Sequence, residues 1–246
     1  MLSDRNLREI EHGKILAQNG AENIWGWESP AGKVRAQRRA DLIISRLTNS
    51  GSLNVLEIGC GTGNFTILFA PLIGQLTAID ISEDLLKIAQ KNKASYPNVD
   101  FVHSSFEMLS KHAQYDAVIG SSVLHHLEIG PTLKQIYNLL KPGGMISFAE
   151  PNMLNPQIIL QKNIPWIKKK LGDSPDETAF FRWQLTKILR ESGYINPQVT
   201  PFDLLHPMVP NYLIEAVSSV GLKLEQIPLI NEFAGSLLIS AKKGSY

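Results

Sequence analysis

Cysteine is almost absent: Cys60 is the only one in 246 residues, so no intrachain disulfide is available and the chain suits a reducing compartment. Neither sign of charge dominates, with Lys+Arg 24 against Asp+Glu 23 and a formal net charge of +1. That balance removes the global attraction to phosphate backbones on which nucleic-acid binders depend, so no nucleic-acid partner is expected. No apolar stretch approaches membrane-spanning length, and residues 1–19 are polar and mixed in charge, without the apolar core of a signal peptide. A soluble, cytoplasmic protein is the expectation. Internal repeats and low-complexity tracts are also lacking. What is present, a chain with 43% hydrophobic residues, suffices for one α/β domain with a sizeable core and leaves little for an independent second one.

Short apolar runs alternate with stretches of helical period. Asn54–Ile58, Leu76–Asp80, Val99–His103, Ala117–Gly120, Met145–Glu150, Gln198–Thr200 and Ser236–Ala241 read as strands, an alternation that argues for a doubly wound, mostly parallel sheet. Ser82 is placed to cap a helix burying Leu85, Ile88 and Ala89, and a further helix from Pro131 stops at Lys141-Pro142-Gly143-Gly144. Asn155-Pro156 opens an amphipathic insertion that Pro165 breaks. Ser174-Pro175-Asp176-Glu177 has the form of a capping box, predicting a helix through Phe180, Leu185 and Leu189 to Gly193.

The densest signal lies at Glu57-Ile58-Gly59-Cys60-Gly61-Thr62-Gly63, where a strand ends in a glycine turn that opens a helix. Glycines there let a ligand approach the backbone, and the helix start offers unpaired N–H groups. A dinucleotide fingerprint spaces its glycines G-x-G-x-x-G; here the third comes one residue early and an acid precedes the first by two. A second acid, Asp80, ends the next strand at the distance one βαβ unit requires, where a ribose diol needs an acceptor pair. The E-x-G-x-G-x-G pattern resembles motif I of the class I S-adenosylmethionine (SAM)-dependent methyltransferases.

That resemblance implies a Rossmann-like seven-stranded sheet of order 3-2-1-4-5-7-6 with the last strand antiparallel, and SAM as cofactor. It covers residues 54–150 by motif and the rest by element order, giving one domain: a helical cap over residues 1–50, a SAM-binding core over 51–150, and an insertion with the second half of the sheet over 151–246. By the same resemblance, Glu57, Gly59, Cys60, Gly61 and Gly63 form the turn against the donor, Asp80 holds the ribose hydroxyls and Ile81 packs on the adenine. Where many relatives read G-D-A-E after the third strand, this chain has Ser104-Ser105-Phe106-Glu107, so Ser105 and the Phe106 backbone N–H stand at the adenine. Ser121, after the fourth strand, offers its carbonyl to the donor's amine.

A small-molecule methyl acceptor is expected, since the chain lacks the [DN]-P-P-[YF] loop that grips a planar amine of nucleic acid. Transfer from a sulfonium expels a neutral thioether, so it demands orientation and an activated nucleophile more than an acid. His125 is the candidate catalytic base and His126 a substrate contact. No metal is expected, because these two adjacent histidines have no Cys, His or carboxylate at ligand spacing nearby. Trp27 and Arg35, in the aromatic and cationic stretch Trp25–Arg39, are placed as acceptor contacts in a lid, against the alternative of a surface helix with a solvated basic face. Two further readings remain open to the sequence: a catalytically silent SAM-binding regulatory or partner-docking protein, and, more distantly, a nicotinamide-dependent oxidoreductase.

Overall fold

Seven strands pair into one sheet in the computed structural model, which describes residues 3–109, 114–174 and 176–245, with residues 92–94 by backbone alone. In chain order they are β1 (Asn54–Ile58), β2 (Gln75–Asp80), β3 (Val99–His103), β4 (Tyr115–Ser121), β5 (Leu140–Pro151), β6 (Ile195–Phe202) and β7 (Ser236–Lys242). Their order across the sheet is β3-β2-β1-β4-β5-β7-β6. β7 runs antiparallel between β5 and β6, and the other pairings are parallel, which is the order and the single reversal expected.

The helices are α1 (Asp4–Asn19), α2 (Ala21–Ile24), α3 (Pro30–Ser45), α4 (Thr66–Phe69), α5 (Glu83–Ala89), α6 (Ile129–Leu139), α7 (Pro156–Asn163), α8 (Pro165–Lys170), α9 (Arg182–Glu191), α10 (Ile214–Leu224) and α11 (Pro228–Asn231). Successive strand side chains point to opposite faces, and both faces are covered here. Leu56, Ile58, Val118, Ile146 and Phe148 pack beneath α6 and α9, whereas Val55, Ala117, Ile119 and Ala149 pack with α3 and α4. Burial on both sides is why the central strands read as unbroken apolar runs.

Local signals hold at several caps. Ser82 Oγ accepts from Leu85 N at the start of α5, Asn155 Oδ1 accepts from Gln157 N and Ile158 N, and Pro165 separates α7 from α8. Two expectations are corrected. The helix read from Ser174 opens instead at Arg182; Pro175 lies outside the described residues. Half of the capping box does form, since Ser174 N donates to Glu177 Oε1 at 2.7 Å. The other carboxylate oxygen of Glu177 accepts from Lys162 Nζ at 2.7 Å in the interior, and Phe180 bridges to Asn152, so tertiary contacts hold this stretch out of a helix. The helix after the glycine turn, α4, is a single turn because Pro71 follows it, which leaves the turn itself as the cradle.

The sheet's strand order reverses at β1, with β2 on one side and β4 on the other. A crevice at the carboxyl ends of the strands is the consequence, and ligands of open α/β sheets bind there. α1 and α2 close over that edge, and α3, packed on one face of the sheet, reaches it through Arg35 and Arg39. α1 lies so tightly on α5 that a Cβ on Gly13 would stand 2.5 Å from Ser82 Oγ.

Candidate functional site

A cavity of about 760 Å³ occupies this crevice, bounded by the glycine turn, the ends of β2 and β4, α1, and the segment from Trp25 to Ser29. The turn is built for close approach. Gly59 has φ +68 and an added Cβ there would lie 2.4 Å from Val123 Cγ2, while Gly61 has φ +54 and packs against the Trp25 ring. Thr62 Oγ1 bonds to the Glu22 carboxylate, tying α2 to the same turn.

Asp80 stands at the centre. Its Oδ2 accepts from Gly61 N at 2.7 Å and its Oδ1 from Ser82 N at 2.8 Å, so each oxygen keeps further acceptor capacity toward the cavity. Burial raises its pKa, with the two backbone N–H groups opposing. Glu57 is placed differently from the expectation of direct contact. It is 1% exposed behind the turn, does not line the cavity, and accepts from Thr66 Oγ1 at 2.7 Å. Gly63 and Ser105 also stand outside the cavity lining, Gly63 against Ala89 and Ser105 buried. Gly59, Cys60, Gly61, Ile81, Phe106 and Ser121 all line it. Burial pushes the Cys60 thiol up, which leaves it an inert packing residue.

From α3 come three arginines with different fates. Arg35 forms a two-point ion pair with Asp203, Nη2 to Oδ2 at 2.7 Å, and Arg38 pairs with Glu225, so these two arginines are held by carboxylates rather than by solvent alone, as the alternative of a solvated basic face would have them. Arg39, which sequence reading passed over, is 3% exposed and lines the cavity. Its guanidinium donates to Ser121 Oγ at 3.2 Å, Ser122 Oγ at 2.9 Å, the Ala149 carbonyl at 3.3 Å and Ser236 Oγ, beneath the Trp27 and Phe202 rings. Among the described residues no carboxylate lies within ion-pair distance of it and its Nε has no partner; burial lowers its pKa to about 10. Its hydrogen bonds all go to neutral oxygens, and Asp203 and Glu150 act on its charge only from a distance. Ser122 and Asp203, both bonded to these arginines, have positive φ, a strain that concentrates at ligand sites.

The opposite end is a polar cluster. His125, 4% exposed, has Nδ1 2.7 Å from Glu150 Oε2, and His126 has Nδ1 2.9 Å from Glu9 Oε2. Glu150 is itself anchored by Val123 N and Leu124 N at 2.9 and 2.8 Å. Burial and the neighbouring His126 charge lower the His125 pKa; for His126 burial is outweighed by Glu9 and Glu177, which raise it. Both Nε2 atoms face Glu177, at 3.9 and 3.8 Å, and burial is outweighed at that carboxylate by His126, His125 and Lys162, which hold its pKa far down. Glu177 is the ligand-type neighbour that linear spacing could not supply: it, His125 and His126 offer ligand atoms within 4.8 Å of one another.

The structure thus brings Asp80, Ile81, Ser121, Trp27, Arg35, His125 and His126 to one cavity. Missed were Arg39, Glu9, Glu150 and Glu177. Residues 55–144 match the family model described as "Methyltransferase domain". Demethylmenaquinone methyltransferase of Staphylococcus aureus is 27% identical over 168 residues, 60% of this chain and 70% of that protein. Among solved structures, a SAM-dependent methyltransferase of Thermotoga maritima described as a possible histamine N-methyltransferase superposes with TM-score 0.69 at 17% identity, covering 94% of this chain and 99% of that one. The N-methyltransferase NodS of Bradyrhizobium japonicum, solved with S-adenosylhomocysteine, gives 0.55 at 18%, covering 87% and 88%.

Proposed function

We propose, for a chain that belongs to the class I SAM-dependent methyltransferases and takes SAM as its cofactor, that it methylates an oxygen, nitrogen or carbon nucleophile of a small molecule seated between Trp27 and the His125–His126 pair. One observation carries the reading: the Asp80 carboxylate, oriented by Gly61 N and Ser82 N, opens into the same cavity that ends at those histidines. When bound, SAM supplies an electrophilic methyl group on a sulfonium. In this reading Asp80 receives the ribose hydroxyls, Ile81 and Phe106 flank the adenine, and Gly59, Cys60 and Gly61 lie along the donor. Ser121 and Arg39 take its amino-acid end, Arg39 satisfying its unpaired charge on the carboxylate. Glu57, Gly63 and Ser105 shape the turn and the adenine end from behind.

Trp27 and Arg35 wall the acceptor, Arg35 through the Asp203 it holds, and His126 contacts it. His125 is the residue through which the nucleophile is activated, since Glu150 on Nδ1 leaves Nε2 to face the acceptor end. Small-molecule acceptors are what the names of the similar proteins state, and they suit a cavity of this size.

Labelled SAM with an acceptor panel, alongside calorimetry with S-adenosylhomocysteine, tests this. Asp80→Ala should weaken the thioether product by on the order of 2–4 kcal/mol through two lost charge-assisted bonds. His125→Gln should bind it normally and lose roughly 100-fold or more in transfer. A folded Asp80→Ala chain with wild-type affinity removes Asp80 from the donor site, and intact donor binding with no transfer to any acceptor supports the silent regulator.

A further inference from the structure

We infer that His125, His126 and Glu177 form a site for a divalent transition-metal ion of zinc-like preference, with a coordination position open to the acceptor end of the cavity. The candidate ligand atoms all lie within 4.8 Å of one another. Metal–ligand bonds of about 2.1 Å at tetrahedral angles separate neighbouring ligands by about 3.4 Å. The Nε2 atoms stand 3.9 and 3.8 Å from different oxygens of Glu177, Oε2 and Oε1, and with one oxygen as ligand the separations of up to 4.8 Å have to close by as much as about 1.4 Å, a movement that side-chain rotation supplies.

What distinguishes this from a chance grouping is the layer behind it. Metal-binding imidazoles regularly donate their other ring N–H to a carboxylate, which fixes the tautomer and aims the lone pair. Both histidines have that arrangement: Glu150 on His125 Nδ1 and Glu9 on His126 Nδ1. The two supporting acids are held in turn, Glu150 by backbone N–H groups and Glu9 by Ser174 Oγ at 2.7 Å. Glu177 is oriented by Ser174 N and Lys162. Both Nε2 atoms stand beyond hydrogen-bond range of the Glu177 oxygens they face, at 3.9 and 3.8 Å.

Charge points the same way. Asp173 and Glu177 face the ammonium of Lys162, Glu150 and Glu9 face the imidazoles of His125 and His126, and Lys168 Nζ donates to the Glu177 backbone carbonyl. With neutral imidazoles the four carboxylates outnumber the two ammonium groups, and His12 Nε2 stands further round, 4.0 Å from Glu177 Oε1. Two imidazoles and one carboxylate match the borderline ions, whereas calcium and magnesium take oxygen ligands. The chemical consequence rests on the methyl-transfer reading: an acceptor hydroxyl or thiol that completes the coordination is held in place and gives up its proton to water near neutral pH. The ion site itself does not rest on that reading.

The test uses the full chain after chelator treatment, titrated with Zn²⁺ against a chromophoric chelator and with Co²⁺ by its visible absorption. One equivalent should bind, with the intense Co²⁺ bands of a four-coordinate centre. Glu177→Gln should weaken Zn²⁺ by about 100-fold or more, and Glu9→Gln, which touches only the supporting layer, by about 10–100-fold. Affinity for S-adenosylhomocysteine should stay unchanged in both, which reports on folding and on the donor site independently. Absence of binding at roughly 100 µM Zn²⁺ by a chain that still binds S-adenosylhomocysteine overturns the proposal. So does equal Zn²⁺ affinity in the wild type and Glu177→Gln. If Zn²⁺ behaves as expected while S-adenosylhomocysteine does not bind, the ion site stands and the methyl-transfer reading falls.

Discussion

Replacing Glu57 by Gln removes one titration from the core without changing its shape, because the amide oxygen can still accept from the Thr66 hydroxyl. Burial raises this carboxyl from the ordinary 4.5 to about 8, with Thr66 opposing and Asp80 adding like-charge repulsion. At about 1.4 kcal/mol per pKa unit, that rise corresponds to about 5 kcal/mol of native stability tied to one proton. The native state holds the proton more tightly, so between pH 4.5 and about 8 the unfolded chain binds fewer protons and stability falls as pH climbs. The contribution is complete below 4.5 and lost above about 8. Integrated from about pH 5.5 to 8.5, the linkage amounts to about 3 kcal/mol, which the Gln variant lacks. Urea unfolding of both chains across that range measures it, and all other titrating groups cancel in the difference. The variant should gain on the wild type by about 3 kcal/mol as pH rises. A difference that stays flat to within about 0.5 kcal/mol means Glu57 is not held protonated, and the account of the turn's buried floor fails.

Arg39→Met keeps much of the bulk beneath Trp27 but loses the charge. S-adenosylhomocysteine should then bind about 10–100-fold more weakly, while 5′-methylthioadenosine, which lacks the amino-acid end, binds unchanged by calorimetry. Equal losses for both would place Arg39 in general packing. The segments over the cavity, residues 19–39 and 155–172, should exchange amide hydrogens more slowly with saturating S-adenosylhomocysteine, and Trp27→Ala should impair transfer more than donor binding. Exchange unaffected in both segments removes the lid role.

The strands were legible as apolar runs alternating with helical stretches, their order only through the family resemblance, and the caps at Ser82 and Asn155 because they are local. Arg39 was legible in principle. Ala36, Ala40 and Ile43 trace the buried stripe of α3, and Arg39 falls on it while Arg38 does not, so helical phase singles out the arginine whose charge is buried. Glu150 carried a signal too. It stands near the carboxyl end of β5 as Glu57 and Asp80 stand near the ends of β1 and β2, and an acid at the end of a buried strand in an open α/β sheet points into the ligand crevice or its floor. Glu177 had none. Its local pattern spoke for a helix start, and it departs from that pattern because two histidines and a lysine from separate elements hold its charge in the interior. A buried carboxylate surrounded by imidazoles outweighs the few tenths to two kcal/mol that a cap supplies. Local rules therefore fail here for an electrostatic reason that no short stretch of sequence contains, because the charges that hold Glu177 come from residues 15 or more positions away.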